Sequence, residues 1–161
     1  MIADMEGTLT EDALLGGRVQ LLQPARGYRV AIDAVLLAAA VDAAPGQRIL
    51  DLGAGVGAVG LCLAARLAGC GVVGIELQEA LAALAERNAN LNGMADRVRT
   101  VVHDLANPLP ADLGRFDHVV TNPPYLAAVA TASQCARPAL DSTVASALEG
   151  SGEGSATAAA R

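Results

Sequence analysis

The sequence predicts an α/β fold, a mostly parallel sheet flanked by helices, and three observations predict it. Apolar runs of strand length alternate with helix-forming stretches between residues 48 and 121. The run 48–51 opens directly into Gly53-Ala54-Gly55-Val56-Gly57, a glycine loop that leads into a helix. The run 116–121 opens into Asn122-Pro123-Pro124-Tyr125. In a parallel sheet both loops emerge at one carboxyl edge, where such sheets bind ligands.

Residues 18–23 alternate enough for a short strand, Pro24-Ala25-Arg26-Gly27 is turn chemistry, and Tyr28-Arg29-Val30 returns as its partner, giving an N-terminal hairpin. Asp33 stands as a capping residue before the helix formers of 34–41, and Pro45-Gly46 ends that helix. After the strand 48–51 and the glycine loop, 58–67 reads as an apolar helix closed by Gly69. A second strand, 72–76, precedes a helix whose Leu77, Leu81, Leu84, Asn88 and Leu91 share a face and which stops at Asn92-Gly93. Residues 98–103 and 116–121 are the third and fourth strands, so the connections are right-handed crossovers.

Three regions follow: 1–45, hairpin and helix; 46–128, the α/β core; and 129–161, a low-complexity tail. From Leu126 onward the chain is rich in Ala, Ser, Thr and Gly, and Glu149-Gly150-Ser151-Gly152-Glu153-Gly154-Ser155 has linker composition. The tail is expected to be disordered or to form a poorly packed helix over 140–148, and to hold no further strand.

The chain has 161 residues, 53% hydrophobic and 17% charged, enough for the core of one domain. Its net charge of −6 argues against a protein that coats nucleic acid by electrostatics alone. Arg18, Arg26 and Arg29 cluster near the start and read as solvated arginines on the hairpin. The three cysteines, Cys62, Cys70 and Cys135, include no C-x-x-C pair and indicate neither a disulfide framework nor a zinc site. His103 and His118 read as packing or surface residues without metal-ligand spacing, so no metal is expected. Residues 1–12 are acidic and unlike a secretory signal, and Asp33 and Asp42 interrupt the best membrane-span candidate. The expected location is cytoplasmic, with no membrane partner.

The glycine loop carries two overlapping patterns, acidic-x-Gly-x-Gly-x-Gly from Asp51 through Gly53, Gly55 and Gly57, and G-x-G-x-x-G from Gly55 to Gly60. Both require a sharp strand-to-helix turn that a ligand can approach closely. A phosphate site would use the helix N-terminus, whereas Asp51 at the strand end favours a cationic or amine-bearing ligand such as S-adenosylmethionine. Glu76, about 20 residues past the loop, ends the second strand where an acid can accept from ribose hydroxyls. Asp104 ends the third strand, where a carboxylate can accept from an adenine amino group, while Asp117 reads as a turn residue.

Asn122-Pro123-Pro124-Tyr125 separates the alternatives. A delocalised amine nitrogen is a poor nucleophile, and two acceptors holding its hydrogens draw its lone pair toward an incoming methyl. The Asn122 side-chain oxygen and the Pro123 carbonyl suit that task, Pro123 and Pro124 stiffen the loop, and Tyr125 can stack on a planar target.

Over residues 46–125 the chain resembles the class I S-adenosylmethionine-dependent methyltransferases, with their Rossmann-like fold. Its Asn-Pro-Pro-Tyr loop is similar to those that modify adenine, guanine or glutamine amines. Leu15-Gly16-Gly17-Arg18-Val19, Gln23-Pro24, Gly27-Tyr28-Arg29 and Asp33-Ala34-Val35-Leu36-Leu37 narrow the likeness to bacterial tRNA methyltransferases that modify the 6-amino group of adenine beside the anticodon of a valine tRNA. The resemblance implies S-adenosylmethionine as cofactor, held by Asp51, Gly53, Gly55, Gly57, Glu76 and Asp104. It implies a tRNA adenine gripped by Asn122, Pro123, Pro124 and Tyr125.

The family has a seven-stranded sheet, with three strands following the Asn-Pro-Pro-Tyr loop. Here 36 residues follow it, so the C-terminal strands are expected to be missing and the fourth strand to be an open edge. The tail is expected to be unrelated to the family, and cofactor affinity and turnover to be weakened. Three rivals stand beside this reading: a release-factor glutamine methyltransferase, a dehydrogenase resting on the G-x-G-x-x-G overlap, and a non-catalytic fragment.

Overall fold

The computed structural model describes residues 9–27, 29–122, 147 and 158–160. An antiparallel hairpin of β1 (Leu9–Leu14) and β2 (Val19–Pro24) precedes helix α1 (Ile32–Ala40). The core runs β3 (Arg48–Leu52), α2 (Ala58–Arg66), β4 (Gly71–Glu76), α3 (Glu79–Leu91), β5 (Val98–Val102) and β6 (His118–Thr121), and β7 (Ala158–Ala160) closes the order. The predicted α/β class and the four core strands are present, with ends shifted by one or two residues.

The hairpin is built differently from the expectation. The partner of β2 is the segment before it, because the reversal falls at Leu15–Gly17, where Leu15, Gly16 and Gly17 have φ of 52°, 66° and 89°. Two glycines supply the left-handed backbone that such a reversal needs. Residues 29–30 are tied to the hairpin by side-chain bonds instead: Arg29 donates to Asp12 Oδ2 and Thr10 Oγ1 at 2.7 Å, and Gln23 Oε1 accepts from the Val30 N–H at 2.9 Å. Asp33 is likewise not a cap. The N-cap position is Ala31, with no side-chain cap bond, and Asp33 lies in the first turn of α1.

The main sheet has the order β5-β4-β3-β6-β7 and every pairing in it is parallel. The chain therefore moves outward from β3 through β4 to β5 and then returns to the other side of β3. That reversal is a topological switch point, and the crevice above it is where open α/β sheets receive ligands. One face of the sheet, with Ile49, Val72, Val98 and Val120, packs in a single core with α1, α2, α3 and the hairpin. The other face, with Leu50, Leu52, Val73, Ile75 and Val119, is covered by Leu105, Leu109, Leu113, Phe116 and Ala147.

The tail departs from the expectation at two places. Ala158–Ala160 pair with Val119–Thr121 as a parallel strand, so β6 is not an open edge. Ala147 is buried, and its carbonyl accepts the Phe116 N–H. Backbone pairing of this kind needs no side-chain signature, which is why an alanine run gave no strand pattern. The rest of the segment 129–161 lies outside the described residues.

The buried face of α3 is formed by Ala82, Leu84, Ala85, Asn88 and Ala89, whereas Leu77 precedes the helix and Leu91 is exposed. Asn88 is wholly buried. Its Oδ1 accepts the Leu22 N–H at 2.8 Å, and its Nδ2 donates to the Leu22 and Val56 carbonyls at 2.9 Å. One turn on, Asn92 makes the same paired bonds to Gln20 at 2.8 and 2.7 Å. Two amides thus act as a surrogate strand for β2, and Asn88 also ties the hairpin to the glycine loop. Asn88→Ala would strand one N–H and two carbonyls in the core, and at about 1–3 kcal/mol for an unsatisfied buried group the expected loss is roughly 2–4 kcal/mol. Urea unfolding checks this, and a change below about 0.5 kcal/mol would show that water replaces the amide without penalty.

Candidate active site

The two signature loops leave adjoining strands. Leu52 and Thr121 are register partners in the β3–β6 pair, and Thr121 Oγ1 donates to the Leu52 carbonyl at 2.9 Å. Gly53 and Asn122, the next residue on each strand, therefore start their loops side by side. Both line a cavity of about 380 Å³, within the range of small-molecule sites. Its walls include Pro24, Arg26 and Gly27 of the hairpin end, Ala34 of α1, and Gln78 and Leu81 at the start of α3.

The glycine loop is held from behind. The Ile75 carbonyl accepts both the Gly53 and the Ala54 N–H at 2.9 Å, Glu76 Oε2 accepts the Gly55 N–H at 2.9 Å, and the Ala54 carbonyl accepts the Gly57 N–H at 2.9 Å. Gly53, Gly55 and Gly57 all have positive φ, and Gly57 is the left-handed residue from which α2 starts. A phosphate cradle presents such N–H groups to its ligand. Here the Gly53, Ala54 and Gly55 N–H groups are spent on β4 and the Gly57 N–H on the loop's own Ala54 carbonyl, which leaves fewer donors for a dinucleotide phosphate. Gly74 belongs to the same arrangement: a Cβ there would lie 2.7 Å from Ala54 Cβ, so only glycine lets the loop settle onto β4.

Asp51 sits beneath this loop, 1% exposed. Its Oδ2 has no hydrogen-bond partner among the described residues. Burial, then repulsion from the Glu76 carboxylate, pushes its pKa up to about 7, with the Gly60 backbone N–H opposing the shift. An orphaned buried carboxylate beside a second acid suits a ligand that brings a cation or an N–H donor. The residues present thus fit the amino and sulfonium groups of S-adenosylmethionine.

Glu76 is placed as expected, at the end of β4, but both its oxygens already accept backbone N–H groups, Oε2 from Gly55 and Oε1 from Gln78 at 2.9 Å. Glu76 and Asp51 are both buried behind the glycine loop and do not themselves line the cavity. Asp104 lies past β5 on the same edge of the sheet but is not part of the cavity wall. It is exposed, and its Oδ1 accepts the Ala106 N–H at 2.9 Å in a turn closed by the Asn107 N–H. Asn122 Nδ2 donates to Asp33 Oδ2 at 2.8 Å. Pro123, Pro124 and Tyr125 lie outside the described residues, as does Tyr28.

Asp117 is structural, as expected: it accepts the Arg48 N–H at 2.7 Å and donates its own to the Arg48 carbonyl. His118 is buried against Gln47, and the Nε2 of His103 lies 3.3 Å from the Asn107 carbonyl. Of the three early arginines, Arg18 is bonded to the Ala65 carbonyl and Arg29 to Asp12, and Arg26 lines the cavity. Burial lifts the Cys62 thiol to about 11, leaving it protonated and non-nucleophilic. Among the described residues no group of three or more His, Cys, Asp or Glu could hold a metal, and no helix is long and apolar enough to cross a membrane.

Sequence reasoning missed the hairpin end, Gln78 and Leu81 as cavity walls. It also placed Leu77 on the face of α3, whereas Leu77 precedes that helix and is 63% exposed immediately after Glu76.

Comparison with known proteins agrees with this geometry. The release factor glutamine methyltransferase of Chlorobaculum tepidum is 38% identical over 93 residues, covering 56% of this chain and 32% of that protein. The tRNA1(Val) (adenine(37)-N6)-methyltransferase of Shigella boydii serotype 18 is 36% identical over 98 residues, 60% of this chain and 40% of that protein. The chain thus spans well under half the length of these curated relatives. TrmN from Thermus thermophilus superposes with a TM-score of 0.61 at 24% identity, over 71% of this chain and 34% of that one. A methyltransferase from Thiobacillus denitrificans, solved with S-adenosyl-L-homocysteine, gives 0.57 at 24%, over 74% and 45%. These superpositions establish the α/β fold, which the chain shares with a protein solved as an S-adenosylmethionine-dependent methyltransferase. The family model named methyltransferase small domain matches residues 28–155, a range that reaches past Tyr125. With four fifths of its length inside that match, the chain belongs to the methyltransferase small domain family.

Proposed function

We propose that this chain binds S-adenosylmethionine at the β3–β6 switch point and directs its methyl group to the exocyclic 6-amino group of an adenine in tRNA. The observation that carries the reading is the register of Leu52 with Thr121, which sets the glycine loop and Asn122 on one cavity wall. S-adenosylmethionine supplies an electrophilic methyl on a sulfonium. Asp51 answers its charge, Gly53, Gly55 and Gly57 allow close approach, and Glu76 and Asp104 offer acceptors along the same edge for a ribose and an adenine. Exposed Leu77 offers an apolar surface for that adenine.

On the substrate side, Asn122 Oδ1 and the Pro123 carbonyl accept the two amine hydrogens, with Pro124 stiffening the loop and Tyr125 stacking on the base. The new N–C bond forms as the S–C bond breaks, and the surplus amine proton leaves to solvent. No side chain need act as a general base, because the nitrogen loses its proton only after alkylation has made it acidic. A cytoplasmic setting follows from a tRNA substrate.

The second reading, methylation of a release-factor glutamine, has a relative at 38% identity behind it. Side-by-side incubation with tritiated S-adenosylmethionine, a valine tRNA and a release factor separates the two. Label is expected in the tRNA and absent from a transcript with guanine at the relative's target, position 37. Label in the release factor alone would transfer the proposal to glutamine, and no label in either would remove it.

A further inference from the structure

We propose that Asp33 is a positioning residue for methyl transfer: it fixes which end of the Asn122 side-chain amide faces the substrate amine. The inference rests on the N-methyltransferase reading above and adds to it a residue outside both signature loops.

An asparagine amide is nearly symmetric in shape and opposite in function at its two ends. If Nδ2 faced the substrate amine, two donors would oppose each other and the amine would be repelled. The loop therefore needs a device that selects the orientation. Asp33 Oδ2 lies 2.8 Å from Asn122 Nδ2 across 89 residues of sequence. A carboxylate only accepts, so the amide end that meets it must be the donor, which leaves Oδ1 as the acceptor end of a residue that lines the cavity.

The local structure turns Asp33 toward this contact. An aspartate at the start of a helix ordinarily satisfies the helix's own N–H groups. Here α1 starts from Ala31 with no side-chain cap, and Asp33, inside the first turn, reaches to the end of β6. α1 itself is anchored, since Ala34 and Ala38 are buried in the core with α2. The carboxylate thus stands on a rigid element, as a group that orients another must.

Asp33→Asn tests the device, because asparagine accepts or donates equally well and no longer selects the orientation of Asn122. The expected result is a fall in kcat of about tenfold to a hundredfold, with the KM for S-adenosylmethionine within about twofold of the wild type. In Asn122→Asp, two carboxylates face each other across the former hydrogen bond. The exchange variant, Asp33→Asn with Asn122→Asp, restores a donor facing an acceptor and leaves a carboxylate oxygen for the amine. It should recover at least tenfold over Asn122→Asp alone. A purely helix-stabilising Asp33 would lower stability in Asp33→Asn without a kcat-specific loss, and the exchange would rescue nothing; either finding overturns the inference.

The side-chain amide resonances of Asn122 give a readout independent of turnover. They should shift in Asp33→Asn, and unmoved resonances would sink the inference. A wild-type chain that neither binds S-adenosylmethionine nor methylates would defeat the functional reading alone, with the resonances still deciding whether Asp33 sets the amide.

Discussion

Replacing Asn122 with alanine is expected to lower kcat for amine methylation by about a hundredfold to a thousandfold, comparable to the loss of one preorganised polar group at a reacting centre. Affinity for S-adenosylmethionine should stay within about twofold. The asymmetry follows from where the residue stands. The glycine loop is held by Ile75, Glu76 and Ala54, none of which touches the Asn122 side chain through the bonds described. Alanine at 122 therefore leaves the bonds that hold the glycine loop intact and removes one of the two acceptors proposed to prepare the nitrogen lone pair. The Pro123 carbonyl belongs to the backbone and survives the substitution, so some turnover should remain. Single-turnover methylation at saturating tRNA, paired with calorimetric titration of S-adenosylmethionine, checks both halves. A kcat loss smaller than tenfold would mean that Asn122 does not hold the amine, and a matching loss of cofactor affinity would assign it to the other half of the site.

Much of this site was legible because its signals are local. A glycine loop after a strand and an Asn-Pro-Pro-Tyr loop after another demand particular backbone conformations, and the structure supplies the first with positive φ at Gly53, Gly55 and Gly57. The features that escaped depend on contacts between distant residues. Asn88 reads in sequence as one polar interruption of an apolar face, yet it spans 66 residues to hold β2. The hairpin segment holds two turn sequences, Gly16-Gly17 and Pro24 to Gly27, and only the long-range pairing of Leu9–Leu14 with Val19–Pro24 shows which one reverses the strand. Glu76 was placed correctly, but nothing in its spacing announced that its carboxylate would be shared with the glycine loop. For Asp33 the sequence offered a familiar local role, and a long-range partner replaced it.

Asp51 should make the free protein less stable as pH rises, the reverse of the usual behaviour of a carboxylate. A paired aspartate has a lowered pKa and contributes stability above its unfolded value, whereas burial and Glu76 raise this one from 3.8 to about 7. The folded chain therefore holds the Asp51 proton more tightly than the unfolded chain does. The penalty is absent below pH 3.8, grows between there and about 7, and is constant above. At about 1.4 kcal/mol per pKa unit, the full penalty is roughly 4 kcal/mol, and Asp51→Asn should recover much of it at pH 8 and none at pH 4. Binding runs the other way. A ligand that brings a cation to the orphaned Oδ2 favours the ionised carboxylate, so S-adenosylmethionine affinity in the wild type should rise with pH up to about 7 and then level off, with proton release on binding. Asp51→Asn should bind more weakly at pH 8 and show little of this dependence, making it at once the more stable and the less competent protein. Thermal unfolding and calorimetry across pH 4–8 measure both trends. Equal melting temperatures for the two proteins at pH 8 would show that Asp51 already has its compensating partner without the ligand, and would remove the reason to seat the amino group there.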